Sequence, residues 1–242
     1  METQHHWSVR IPSRRYSKSP TVHIVVGTGE FQQEFDIHHD LICSRSKFFK
    51  NALSGNWLES AKEIKLPQED RTTFALYLEL LYTDLVPLDE PEDGKSWVQN
   101  AYMALSELYV LCEKLIDPTS KRTVFKKLVN LFYSRRSDGR FELPGSETVQ
   151  ILYEGTFEDD QIRAALGLAF ATCADAATME KLFNGYSLPA EFYYDLARGT
   201  ALQLVEHRSR LRQKALELKI AEAELDQRRD GYFRGSHVNA VL

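Results

Sequence analysis

Apolar and polar positions alternate first at Val22, Ile24 and Val26, with the period of two that marks a strand. Gly27, Thr28 and Gly29 supply turn chemistry, after which Phe31, Phe35 and Ile37 resume the odd-numbered alternation, so a β-hairpin is expected. Leu41 and Ile42 form a short apolar pair. Ser44 or Ser46 is placed to cap a helix carrying Phe48, Phe49, Ala52 and Leu53, with Gly55 positioned to stop it. Ile64 and Leu66, followed by Pro67, predict a third short strand. Asp70 or Thr72 then starts a helix with Phe74, Tyr77, Leu78, Leu81 and Tyr82 at three- and four-residue spacing. Residues 85–88 are at most a short extended piece, because Pro87 has no N–H to give a ladder.

From Ser96 onward the spacing is helical. Val98, Ala101, Tyr102, Leu105, Leu108, Tyr109 and Cys112 share one face, Pro118 marks a break, and Phe125, Leu128, Val129 and Phe132 continue on another helix. After a loop from Arg135 to Gly145 the helical pattern returns over 149–153, 159–173 and 179–183, and a long helix starts near Pro189. Hairpin, helices, short strand and then helices only make an α+β domain with an all-helical extension rather than a βαβ repeat.

The net charge of −5 argues against a broad nucleic-acid surface. The most apolar run, Ala164 to Ala174, is too short to cross a bilayer, and the first twenty residues lack the apolar core of a secretory signal. Three widely spaced cysteines give no disulfide framework, so an intracellular protein, cytoplasmic or nuclear, is expected. His39 and Cys43 stand at i and i+4, but no second ligand pair accompanies them; the Gly27–Gly29 turn lacks the third glycine and the helix of a dinucleotide loop. No cofactor, no metal and no catalysis are expected.

Residues 35–49 resemble the signature of BTB/POZ domains: an aromatic strand end, His38, an apolar pair at Leu41 and Ile42, then Ser46, Phe48 and Phe49. Trp57-Leu58-Glu59-Ser60, Ile64 to Pro67, Phe74, Leu80 to Thr83 with Tyr82, and Leu108 to Leu115 follow in the family's order. The resemblance implies a BTB/POZ domain over 20–118, with a short three- to four-stranded sheet flanked by helices. Around it lie a flexible basic tail at 1–19, a BACK-like helical extension at 119–188, a long helix at 189–230 and a loose end at 231–242. The Cys43 to Phe49 variant, with a Trp before the Glu, is similar to fungal members without kelch repeats.

The family resemblance also implies protein partners and no enzyme. Trp57, Leu58 and Glu59 match the hydrophobic-x-Glu element by which some members bind cullin-3, which points to an adaptor or scaffold of a ubiquitin ligase; the alternative is a self-associating structural or transcription-associated regulator. Many dimeric members carry an Asp at the start of the first strand and a Lys or Arg after the His. Thr21 and His39 stand there instead, so any homodimer would rely on apolar surfaces. In the last helix Leu204, Leu211, Leu218 and Leu225 recur every seven residues, but the companion positions Ala201, Arg208, Ala215 and Glu222 are half polar. With Glu206–Arg210 and Glu224–Arg228 spacing, the pattern favours an exposed helix docked along part of its length.

Overall fold

The computed structural model describes residues 16, 18–54, 63–86, 88, 97–136, 139–184 and 187–236, with side chains through residue 224. Strands β1 (Thr21–Val26) and β2 (Gln33–His38) form the antiparallel hairpin, with Val22 opposite Ile37 and Ile24 opposite Phe35. Strand β3 (Ile64–Leu66) lies parallel to the other side of β1, pairing Ile24 with Ile64. The sheet order is β2-β1-β3. As the central strand, β1 buries Val25 in addition to Val22, Ile24 and Val26.

The hairpin connection differs from the simple alternation. Gly27 has φ +81°, and a Cβ there would lie 2.6 Å from the Phe31 carbonyl oxygen, so the chain folds back tightly into a single 3-10 turn, Gly29–Phe31. Phe31 therefore precedes the second strand; it is exposed, with the Arg71 guanidinium 5.9 Å over its ring.

Helix α1 (His39–Arg45) begins at once after β2, and α2 (Lys47–Ala52) follows across Ser46. Ser46 is the cap, its hydroxyl accepting from the Phe49 N–H; Ser44 lies within α1 and donates to the Leu41 carbonyl. Gly55 lies outside the described residues. Asp70 caps α3 (Arg71–Thr83) by accepting from the Thr72 and Thr73 N–H groups. Then come α4 (Trp97–Lys114), α5 (Pro118–Phe132), α6 (Ser146–Glu154), α7 (Gln161–Cys173), α8 (Ala176–Phe183) and α9 (Ala190–Ser236). Pro118 occupies the first position of α5, where its missing N–H costs nothing, and Asp117 is the cap.

One continuous core runs from Val22 on the sheet to Phe192 on α9. Phe49, Phe74 and Tyr77 fill it beneath the sheet, Tyr102 stacks on Phe132 between α4 and α5, and Phe170 meets Phe192 between α7 and α9. Helices α7 and α9 approach backbone to backbone. A Cβ on Gly167 would lie 2.6 Å from the Asp195 carbonyl oxygen, and one on Gly199 2.8 Å from that of Gly167. Beyond this crossing α9 leaves the core.

Candidate protein-interaction site

The junction between β2 and α1 is built from both ends of the sequence motif. The Tyr82 hydroxyl on α3 accepts from the His38 backbone N–H at 3.3 Å and lies 2.8 Å from His38 Nδ1. His38 thus ties the sheet to α3; its side chain makes no cap bond to α1. The start of α1 is satisfied from upstream: the Ser19 hydroxyl accepts from the Asp40 N–H and the Pro20 carbonyl from the His39 N–H. Tyr16 packs on the His38 ring. Leu41 is buried, as is Phe49, while half-buried Phe48 meets it edge to face at 5.1 Å. Buried Ser46 also donates to the Leu115 carbonyl at 2.6 Å, locking α2 to the end of α4. The six signature positions hold elements together.

The turn between α4 and α5 carries a second node. Asp117 is buried and accepts from the Thr119 and Ser120 N–H groups, the Ser120 hydroxyl and the Tyr77 hydroxyl. Arg45 reaches the same place, with Nε 3.8 Å from Asp117 and its terminal nitrogens donating to Asp84 and Ser120. Burial, then the neighbouring Asp117 carboxylate, push the Tyr77 phenol up. Ile116, in the left-handed region at φ +52°, stands half-exposed beside this node.

A third cluster joins α4 and α5 to the helical region. The Lys121 ammonium bonds Glu113 and, at 2.5 Å, Asp160, and lies 4.9 Å over the Tyr109 ring. Asp160 caps α7 through the Ile162 N–H and accepts from the Tyr109 hydroxyl at 2.6 Å. Burial opposes the charge on Asp160, yet the Ile162 N–H, Lys121 and Tyr109 hold its carboxyl below the usual range. Burial likewise opposes the Lys121 charge, and Asp160 with Glu113 keeps it above the ordinary value. Next to it Arg163 is buried, donating to the Tyr153 and Thr156 carbonyls and the Thr156 hydroxyl, with its guanidinium 4.7 Å over the Tyr153 ring.

Between these clusters lies an open groove of about 680 Å³, lined by Ile116, Pro118, Lys121, Glu154, Thr156 and Phe157 among others. Phe157 is 71% exposed and Ile116 49%. Apolar lips with an ionic rim suit a protein surface. The Cys112 thiol at its base is pushed up, chiefly by burial, and is a poor nucleophile. The sequence pattern did not reveal this groove; its one local signal is the pair of Asp caps, Asp117 before Pro118 and Asp160 before Ile162.

Trp57, Leu58 and Glu59 lie outside the described residues. Thr21 is exposed at the start of β1 and His39 bonds Asp40, with its Nε2 3.6 Å from the Cys43 sulfur. Among the described residues no group of His, Cys, Asp and Glu side chains could hold a metal ion, and no helix is long and apolar enough to cross a membrane. All three cysteines are free thiols.

A three-stranded sheet is clasped by helices, and its polar side chains join one element to the next. Residues 12–120 match the family model of the BTB/POZ domain, and this part of the chain is a BTB/POZ domain, followed by a helical C-terminal region. Among solved structures, the BTB domain of zebrafish PATZ1 is similar at 14% identity over 44% of this chain and 75% of its own, with a TM-score of 0.32. No curated protein matches the sequence.

Proposed function

We propose that the chain is an adaptor or scaffold whose BTB domain recruits a protein partner, with Trp57, Leu58 and Glu59 as its contact to cullin-3 in a ubiquitin-ligase assembly. The observation that carries the reading is the place of these three residues: inside the matched span 12–120, a bulky apolar residue and a carboxylate two positions on follow the end of α2. A large aromatic anchor beside a charged rim is the composition of an interface hot spot. In this reading residues 119–188 are a BACK-like buttress, supported by the bonds from Lys121 to Glu113 and from Tyr109 to Asp160.

The test is binding of the full chain to purified cullin-3. Trp57→Ala and Glu59→Lys are each expected to weaken it about tenfold or more, with circular dichroism unchanged. Absence of binding by the unsubstituted chain, or indifference to both substitutions, rejects the cullin reading.

A further inference from the structure

Helix α9 changes character at Gln203. Up to that point one face is packed, with Phe192 and Gly199 buried and Asp195, Leu196 and Gln203 half-buried. Beyond it every side chain through Glu224 is exposed. At 3.6 residues per turn the docked row continues into Glu206, Arg210, Gln213 and Glu217. That continuation is polar and paired within the helix, Arg210 donating to Glu206 and Gln213 to Glu217.

The apolar row lies elsewhere. Leu204, Leu211 and Leu218 are displaced about a third of a turn from the docked face, and each exposes more than half its surface. With the positions between them the row reads Leu204, Arg208, Leu211, Ala215, Leu218, Glu222, the alternating spacing of a coiled-coil seam. Its two charges are opposite in sign and equidistant from Ala215, seven residues before and seven after. Neither Arg208 nor Glu222 has an ion-pair partner among the described residues.

We infer that the projecting part of α9 pairs with the same segment of a second copy of this chain, antiparallel and centred on Ala215. Only that orientation uses the charges. It sets Arg208 level with the partner's Glu222 and brings Leu211 within one residue of the level of the partner's Leu218, each twice by symmetry, with Ala215 at the crossing. A parallel pair would bring like charges together in the seam at both levels. Arg212 and Lys219 flank the row and oppose each other across it, so the association is weak and reversible. The inference rests on α9 alone and is independent of cullin binding.

The experiment uses the full chain with Ala215→Cys and a short bismaleimide, against the unsubstituted chain as background for the native thiols. A covalent dimer is expected. Adding Arg208→Glu or Glu222→Arg alone should lower its yield about fivefold or more. Both reversals in one chain, or a mixture of the two single reversals, should restore it. No dimer above background, as when another protein covers the row, overturns the inference; so does a dimer whose yield ignores the reversals, as a parallel pair would give.

Discussion

Asp160, at the start of α7, accepts a hydrogen bond from the Tyr109 hydroxyl of α4 at 2.6 Å, across 51 residues of chain. The same carboxylate caps its own helix and bonds Lys121, so one side chain joins the BTB/POZ domain to the helices that follow it. Its side chain is only 5% exposed, and a neutral replacement leaves Lys121 with Glu113 alone. Asp160→Asn is expected to cost about 1–3 kcal/mol of stability, read as a lower urea midpoint.

The same cluster fixes a pH dependence. The Asp160 pKa is depressed on folding, so its contribution is present above the ordinary carboxyl value near pH ~4 and is lost as pH falls through the folded value. The Lys121 pKa is raised, so its contribution holds below the ordinary ammonium value and is lost as pH rises through the folded one. Between those limits the cluster adds a constant amount. Urea midpoints measured downward from pH ~6 should fall less steeply in Asp160→Asn than in the parent; identical acid limbs would contradict the assignment.

Gly167 and Gly199 let α7 and α9 touch through their backbones. A methyl at either position meets carbonyl groups rather than a flexible side chain. Gly199→Ala and Gly167→Ala should each cost about 1–3 kcal/mol, lowering the thermal midpoint by several degrees. Gly29→Ala tests a different cause: its added Cβ meets nothing within 4 Å, but φ is +57°, so only backbone strain of about 1 kcal/mol applies.

Ser46 serves two elements with one buried hydroxyl, accepting from the Phe49 N–H and donating to the Leu115 carbonyl. Ser46→Ala removes the α2 cap and leaves that carbonyl without its side-chain donor. A loss of about 1–3 kcal/mol is expected in chemical denaturation, while Ser44→Ala, in an exposed position, should change stability by less.

Local chemistry was legible in the sequence where a residue's partners lie nearby. The alternation at Val22, Ile24 and Val26, the cap at Ser46 and the break at Pro118 each report a rule acting within a few residues. Phe31 misled because the alternation continues through it, whereas the positive φ of Gly27 diverts the chain into a 3-10 turn. The groove beside Ile116 and Phe157 was illegible for another reason. Its walls depend on contacts such as Lys121 with Asp160, 39 residues apart, and on a buried Arg163 that composition marks as a surface residue. Gly167 reads in sequence as a weak point in a helix; only the crossing with α9 shows what its missing side chain admits.

The projection of α9 past Gln203 has a hydrodynamic consequence. From there to Ser236 the chain is continuous helix, a rod about 50 Å long at 1.5 Å per residue attached to a much rounder body. Drag on that rod enlarges the apparent radius without adding mass. A single 27.9 kDa chain will therefore emerge early from a sizing column, and its stoichiometry has to be read from light scattering or sedimentation equilibrium, which weigh the particle regardless of its outline.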